Sequence, residues 1–286
     1  MNALKEGRAS RTASRVAFRR AAHQVLDAPL VFSDPLALRI LSRDAVDALR
    51  QHPHRVGNGR YDKMMRAFLV VRSRIADDVI TAQIAKGVRQ VVILGAGLDT
   101  FAYRHGIADV RVFEIDHPAT QAWKRRRLAD AGIAIPETLT FVPVDFAERN
   151  LRDALSSSGV DFGAATVFSW LGVSMYLEAA AVWTTLCDVA AATAPGGGVV
   201  FDYVVPAPQL DWRSRIGLWL LERRVRRAGE PFRSFLDPGA LTRGMHELGF
   251  STIEDLDGAA LNARYFARRA DGLRVGSAGH VMVALR

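Results

Sequence analysis

The chain has 286 residues, of which 49% are hydrophobic and 24% charged, and its formal net charge at pH 7 is +8. This length and composition predict a globular protein with a sizeable core, and they exclude a disordered chain or a small disulfide-stabilised scaffold. No apolar run reaches the roughly 18 residues of a membrane-spanning helix. We therefore expect a soluble, cytoplasmic protein without stable membrane insertion.

The cysteine count and the positive charge limit the kinds of site that the chain can hold. Cys187 is the single cysteine, which excludes an internal disulfide and argues against a zinc or iron–sulfur site. We interpret Cys187 as a small core residue on a helix. Positive charge permits binding to nucleic acid, but the arginines are scattered rather than interleaved with aromatic residues. We expect no metal and no nucleic-acid partner.

The N-terminal segment is basic but lacks the apolar stretch of a secretion signal. Hydrophobic residues then recur at helical spacing, namely Phe18, Ala22, Val25 and Leu26. This spacing favours a helix that packs on the body of the protein over an organelle transit peptide. We expect residues 1–88 to form a mostly helical cap on the core.

A second helical pattern, YDKMMRAFLVVRSRIADDVITAQIAKG, places one arginine among its apolar residues. Arg72 lies on the apolar face of this predicted helix, whereas Arg74 lies on the opposite face. An arginine on an inward face requires an anion, and a ligand carboxylate is one candidate for a bidentate pair. A structural ion pair with Asp99 or Asp116 is the alternative.

The first predicted strand, QVVIL, runs into the sequence GAGLDT. Gly95 and Gly97 lack a Cβ atom, so the turn can approach a ligand closely, and we expect the helix that follows to offer free N–H groups. The third glycine of a dinucleotide fingerprint is missing, because Thr100 takes that position, and Asp99 would repel a pyrophosphate. The turn therefore disfavours a nicotinamide dinucleotide and suits a ligand that is cationic there.

Acidic residues end the next two predicted strands. Asp116 follows Gly95 by 21 residues, close to the spacing at which an acid binds ribose hydroxyls in Rossmann-type folds. Asp145 precedes Phe146, a pair that can accept a hydrogen bond from the adenine amine and stack on its ring. Each acid alone could be a helix cap. The glycine turn and both acids in this order fit a nucleoside without phosphates, namely S-adenosylmethionine.

Short β-branched segments alternate with helical segments from residue 90 onward, which predicts a doubly wound, parallel sheet. We expect strands at residues 90–94, 110–116, 139–146, 166–173, 197–204, 251–256 and 280–286. The last strand is placed to insert antiparallel. The prediction is an α/β protein with a seven-stranded, mostly parallel sheet.

An insert at about residues 206–236 follows the fifth predicted strand and carries tryptophans and arginines at helical spacing. This pattern predicts a lid whose apolar side faces an acceptor. A solvated basic helix and attachment to a membrane surface are the alternatives. We expect the insert and the N-terminal cap to flank or cover the carboxyl ends of the strands, where open α/β sheets bind ligands. Residues 89–286, including the insert, would form the cofactor-binding domain.

Seven motifs follow one another over roughly residues 7–204, in the order EGRASRTA, VFSDPLALRIL, VRSR, VVILGAGLDTFAYR, VFEIDHPATQAWKRR, FVPVDF and SWLGVSMYL. In these motifs the chain resembles the bacterial branch of the leucine carboxyl methyltransferase family, S-adenosylmethionine-dependent enzymes related to polyketide carboxyl O-methyltransferases. The resemblance implies a class I methyltransferase-like Rossmann fold. It also implies cofactor contacts by Arg72 to the carboxylate, Gly95 and Gly97 at the turn, Asp116 to the ribose, and Asp145 with Phe146 to the adenine.

One position departs from the family pattern. The family often has an acid in a W-E-G-x-x-M-Y-L stretch, where this chain has Leu171. If that acid meets the amino group of the cofactor, Ser169 or a backbone carbonyl takes its place here.

These observations predict an S-adenosylmethionine-dependent O-methyltransferase that acts on a small-molecule carboxylate or phenol of the natural-product type. Transfer from a sulfonium depends mainly on alignment. A carboxylate acceptor needs no base, whereas a phenol with a pKa of about 10 would be helped by one. Candidate bases near the strand ends are His117, Tyr176, Asp202 and Tyr203. The alternatives are an NAD(P)-dependent oxidoreductase and a non-enzymatic nucleotide- or nucleic-acid-binding protein.

Overall fold

The computed structural model describes residues 11–52, 59–145, 150–227 and 229–286. The helices are α1 (Arg11–Leu26), α2 (Arg43–Gln51), α3 (Arg60–Ala85), α4 (Pro118–Asp130), α5 (Leu151–Ser158), α6 (Ala179–Ala191), α7 (Trp212–Arg227), α8 (Pro238–Glu247) and α9 (Gly258–Tyr265). The strands are β1 (Gln90–Leu94), β2 (Arg111–Asp116), β3 (Leu139–Pro143), β4 (Thr166–Trp170), β5 (Gly198–Val204), β6 (Thr252–Leu256) and β7 (Gly279–Leu285).

The strands form one seven-stranded sheet in the order β3-β2-β1-β4-β5-β7-β6. The first five strands run parallel to one another, and β7 inserts antiparallel to both of its neighbours, β5 and β6. Every residue of β1, β4 and β5 is buried, as expected of strands covered on both faces. The predicted α/β fold with a mostly parallel sheet and an antiparallel last strand is confirmed.

Helices pack on both faces of this sheet. On one face, Phe201 of β5 shares a hydrophobic cluster with Leu186 of α6 and Met245 of α8. On the other face, Val71 of α3 shares a cluster with Val200 of β5. The N-terminal part of the chain therefore supplies a layer of the core through α3. Although α3 has 26 residues, no helix in the described ranges is long and apolar enough to cross a membrane.

Two expectations from the sequence are wrong. The glycine turn after β1 leads into a single 3-10 turn, Phe101–Tyr103, and not into an α-helix. The Asp99 carboxylate accepts the Phe101 N–H at 2.7 Å, and Phe101 clusters with Ile80 of α3, which already covers this part of the sheet. Cys187 lies on a helix as predicted, α6, but it is exposed rather than part of the core.

A buried polar network joins α1 to the turn after β1. The Asp34 carboxylate accepts hydrogen bonds from Arg20 at 2.8 Å and from the Thr100 hydroxyl at 2.7 Å. Burial acts to raise the pKa of Asp34, but the charges of Arg20 and Arg104 outweigh it, and the pKa is lowered. The network therefore holds an ionised carboxylate inside the protein and fixes α1 against the glycine turn.

We predict that Arg20→Ala lowers the free energy of unfolding by about 3–5 kcal/mol, because it leaves the buried charge of Asp34 without its closest cation. Urea denaturation measures this loss. Arg74→Ala is the control, since the Arg74–Asp78 pair is half exposed, with side-chain exposures of 47% and 47%, and such a pair contributes about 0–1 kcal/mol. Equal losses for the two variants would contradict a structural role for the network.

Candidate functional site

The turn between β1 and the 3-10 helix requires its two glycines. Gly95 has a φ of 67° and Gly97 a φ of 48°, values that side chains with a Cβ rarely adopt. A Cβ atom on Gly95 would lie 2.5 Å from Cγ2 of Val173, and one on Gly97 would lie 3.1 Å from Cβ of Ala13. The turn is therefore packed between α1 and the segment that follows β4.

Asp116 is fixed at the end of β2 by backbone N–H groups. Its Oδ2 accepts the Gly97 N–H at 2.6 Å, and its Oδ1 accepts the His117 N–H at 2.7 Å. Burial raises the pKa of this carboxyl, and the two N–H groups oppose that rise. Each carboxylate oxygen has a further lone pair. The predicted ribose acid and the glycine turn thus form one hydrogen-bonded unit.

The predicted adenine acid lies beside this unit. Asp145 follows β3, and its side chain is 40% exposed, with Oδ2 at 3.6 Å from Nε2 of His117. His117 is the N-cap of α4, where its Nδ1 accepts the Ala119 N–H at 3.2 Å. Phe146, the predicted stacking partner of adenine, lies outside the described residues. The structure brings Asp116, His117 and Asp145 together at adjacent strand ends.

Arg72 forms a buried ion pair with Asp202 of β5. Its Nη1 donates to Oδ2 of Asp202 at 2.5 Å, and Oδ1 of Asp202 accepts the Gly172 N–H at 2.5 Å. The predicted inward direction of Arg72 is correct. The alternative of a structural ion pair is right in kind, but the partner is Asp202 and not Asp99 or Asp116. A Cβ atom on Gly172 would lie 2.7 Å from Nη2 of Arg72, so the guanidinium packs directly on this glycine.

Ser169 and Leu171 occupy different environments near the end of β4. Ser169 is buried within the strand, paired in register with Ile93 of β1 and Val200 of β5. Leu171 packs in the hydrophobic cluster that includes α3. The carboxylate that reaches this part of the structure comes instead from Asp202. The sequence signal for Asp202 is an acid inside the otherwise apolar strand GVVFDYV, and from the sequence alone this acid is a candidate base.

A cavity of about 1610 Å³ lies beside this ion pair. Parts of α1, α3, α7 and residues 272–279 form its walls. Its inner end is lined by the buried residues Arg72, Met175 and Asp202 and by the half-buried Gly172. Arg72, Asp202 and Gly172 therefore face the same space as the predicted lid.

The four candidate bases lie in three different places in the structure. Tyr176 and Asp202 line the cavity, while His117 caps α4 next to Asp116. Tyr203 belongs to the core on the opposite face of the sheet, and its hydroxyl bonds Asp255 at 2.9 Å and lies 3.3 Å from His280. Tyr203 is therefore a structural residue.

Comparison with known proteins assigns the chain to a family. The family model for leucine carboxyl methyltransferases matches residues 13–190. The chain belongs to this family. It is 28% identical to YktD of Bacillus subtilis, across 99% of this chain and 100% of that protein. It is 32% identical to FRAAL3718 of Frankia alni, across 90% of this chain and 84% of that protein. Both relatives are named as predicted S-adenosyl-L-methionine-dependent methyltransferases.

Solved structures share the fold of this leucine carboxyl methyltransferase family member. A predicted methyltransferase from Thermobifida fusca superposes with a TM-score of 0.53 at 16% identity, covering 98% of this chain and 96% of that one. A DUF574 family protein from Streptomyces avermitilis gives a TM-score of 0.52 at 15% identity, covering 95% and 97%. The expected family, fold and enzyme class are confirmed: the chain is an S-adenosylmethionine-dependent methyltransferase. This finding favours the methyltransferase over the oxidoreductase and the non-enzymatic alternatives.

We predict that Gly95→Ala lowers both the free energy of unfolding and the affinity for S-adenosylhomocysteine, since its Cβ would collide with Val173 and move the turn. Gly106→Ala is a matched control, because Gly106 has a φ of 66° and no heavy atom within 4 Å of the added Cβ. Both variants carry the backbone strain of about 1–2 kcal/mol.

Urea denaturation and calorimetry with S-adenosylhomocysteine distinguish the two variants. We expect Gly106→Ala to keep its affinity within twofold and Gly95→Ala to lose tenfold or more. Similar affinities for the two proteins would show that the turn does not approach the ligand.

Proposed function

We propose that the enzyme transfers a methyl group to the carboxylate oxygen of a small-molecule acceptor and forms a methyl ester. The observation that carries this proposal is the Arg72–Asp202 ion pair at the inner end of the cavity. In our assignment the amino-acid end of the cofactor and the acceptor would meet beside these two fixed charges of opposite sign. A phenolic acceptor is the second candidate.

The adenosine part of the cofactor would bind at the ends of β1, β2 and β3. Gly95 and Gly97 would let the backbone approach it, Asp116 would bind the ribose hydroxyls, and Asp145 with Phe146 would bind the adenine. The hydrogen bond from Gly97 to Asp116 supports this assignment, because it keeps the ribose acid in place before any ligand arrives.

The methionine part of the cofactor would bind beside Arg72. We assign its carboxylate to Arg72 and its ammonium to Asp202. Each charge of the zwitterion would then face a protein side chain of the opposite charge. Asp202 would thus bind the amino group of the cofactor, for which the family often has an acid at the position of Leu171. Ser169, which is buried in β4, would contribute at most a neutral contact. The position of Asp202 supports this assignment, because the residue lines the cavity and its carboxylate is held by Arg72 and the Gly172 N–H.

When bound, the cofactor would supply an activated methyl group. A carboxylate oxygen of the acceptor would form the new carbon–oxygen bond as the sulfur–carbon bond breaks, and the electron pair of the broken bond would stay on sulfur. No proton is released, because the acceptor is already ionised. The protein's part is to align the acceptor and to exclude water. Residues 1–88 as a cap and about 206–236 as a lid would do this over the binding domain of residues 89–286. A cytoplasmic location and the lack of a nucleic-acid partner remain predictions from the sequence.

The titratable groups at the inner end favour an acceptor that is already ionised. Burial raises the pKa of Tyr176 to about 12, so its hydroxyl is a neutral donor at pH 7. Asp202 already accepts hydrogen bonds from Arg72 and the Gly172 N–H. In our assignment its remaining lone pairs bind the ammonium of the cofactor, so it is not available as a base for the acceptor. A carboxylate acceptor needs neither residue as a base.

We predict methyl esters as products when the purified enzyme is incubated with methyl-labelled S-adenosylmethionine and matched carboxylic and phenolic acceptors. Mass spectrometry identifies the product, and alkaline hydrolysis distinguishes an ester from an ether. Rates with carboxylates should stay level between pH 6 and 9, because such acceptors are ionised throughout that range. If aryl ethers were the sole products and the rates rose toward pH 9, the carboxylate proposal would be contradicted and the acceptor would be a phenol.

We predict that substitutions at the two ends of the cofactor site affect two ligands differently. Asp116→Asn should weaken S-adenosylhomocysteine and methylthioadenosine alike by about 10- to 100-fold, the equivalent of 1.5–3 kcal/mol for hydrogen bonds to a charged group. Arg72→Gln should weaken S-adenosylhomocysteine by at least tenfold but leave methylthioadenosine within twofold, because the latter lacks the amino-acid end.

Calorimetry with both ligands tests this difference, and Arg74→Gln on the exposed side of α3 serves as the control. A loss of methylthioadenosine binding in Arg72→Gln equal to that of S-adenosylhomocysteine would mark the ion pair as purely structural.

A further inference from the structure

We propose that the acceptor is a long-chain carboxylate whose linear apolar body fills the cavity beneath α7. The inference rests on the proposed methyl transfer to a carboxylate and adds the class of molecule that carries the carboxylate. The volume of the cavity, its apolar walls and the distribution of its charges support it.

The cavity is larger than one small ring compound needs. Its volume of about 1610 Å³ exceeds the roughly 300–1,000 Å³ of typical small-molecule sites. The residues assigned to adenosine, such as Asp116 and Asp145, are not among those that line it. Because only the amino-acid end of the cofactor would enter, beside Arg72, most of the volume is available to the acceptor.

The walls of the cavity are apolar and adaptable. Met64, Met65 and Phe68 line it from α3, and Ile216 and Leu220 line it from α7. Methionine side chains adjust to ligands of varied shape. Trp212, Ile216 and Leu220 line the same cavity and are 65%, 51% and 54% exposed. A group of exposed apolar residues in one groove is typical of a ligand-binding site. An alkyl chain in the cavity would cover them.

The charges of the cavity are divided between its two ends. The buried arginines are paired: Arg66 with Asp27 and Arg72 with Asp202. Six exposed arginines line the outer part, namely Arg15, Arg60, Arg213, Arg224, Arg227 and Arg274. A cationic entrance raises the local concentration of anions, so the cavity suits an acceptor that combines a negative charge with an apolar chain.

Neighbouring residues of α7 differ in what they face. Leu220 and Arg224 line the cavity, whereas Trp219 and Arg223 do not. Arg223 stacks on the Trp219 ring, 4.7 Å from its centroid, and Arg224 stacks on Tyr61 of α3 at 4.6 Å. The helix therefore offers two matched pairs of positions, one of each pair inside the cavity and one outside.

The first experiment measures the dependence on chain length. Calorimetry of the S-adenosylhomocysteine-loaded enzyme with butanoate, octanoate and dodecanoate should show affinity that rises at least 100-fold across the series, since a fully buried CH₂ contributes roughly fourfold. With S-adenosylmethionine, kcat/KM for methyl ester formation should follow the same order. Affinities within threefold of one another, or a preference for short aromatic acids, would overturn the inference.

The second experiment tests where the chain binds. Leu220→Gln and Arg224→Gln should raise KM for dodecanoate by tenfold and threefold or more, and Trp219→Gln and Arg223→Gln should stay within twofold of the parent enzyme. Affinity for S-adenosylhomocysteine should be unchanged in all four, which shows that they fold. Equal effects inside and outside the cavity would overturn the inference and assign the apolar face of α7 to an external partner, such as a lipid surface.

The outcomes separate this inference from the proposed function. Methyl esters formed without any dependence on chain length would leave carboxylate methylation intact and remove the long-chain acceptor. Tight binding of dodecanoate without ester formation would contradict the long-chain carboxylate as acceptor. The proposed methyl transfer itself would be contradicted only if shorter and aromatic carboxylates also gave no ester.

Discussion

The buried pair of Arg72 and Asp202 is the constraint on which the arrangement of this enzyme depends. A guanidinium and a carboxylate that both leave water must find each other, because an unpaired charge in the interior costs several kcal/mol. Here the pair connects α3 to β5, and the Gly172 N–H adds the end of β4 to the same contact. Three elements that are distant in sequence are thereby fixed at the inner end of the cavity.

The second buried network, around Asp34, extends this constraint to α1. Arg20 of α1 and Thr100 of the glycine turn share the Asp34 carboxylate, and Ala13 packs against Gly97. In the proposed site, α1 would support the turn at the adenosine end, and α3 would supply Arg72 at the methionine end. On that assignment the packing of these helices would shape the binding site as well as cover the sheet.

Local patterns in the sequence were sufficient for the strands and for the direction of Arg72. Alternation of β-branched and helical segments records which faces are buried, and it predicted all seven strands. The partner of Arg72 could not be found this way, because Asp202 is 130 residues away and periodicity carries no information on contacts between elements. The helix expected after Gly97 failed for a related reason: α3, from an earlier part of the chain, already covers the sheet beside Phe101. The contacts proposed for Gly95, Asp116, Asp145 and Phe146 stay predictions.

On the proposed reaction, the distribution of charge in the cavity also bears on turnover. A carboxylate and a sulfonium attract each other more strongly where water is excluded, and their reaction yields a neutral ester and a neutral thioether. The exposed arginines would therefore attract the negatively charged acceptor, but they would not retain the product, because the ester carries no charge. The ion pair at the inner end keeps its charges throughout, so the site does not need to reorganise between rounds. A cationic entrance, apolar walls and a paired inner end thus suit one chemical task, in which opposite charges enter and neutral molecules leave.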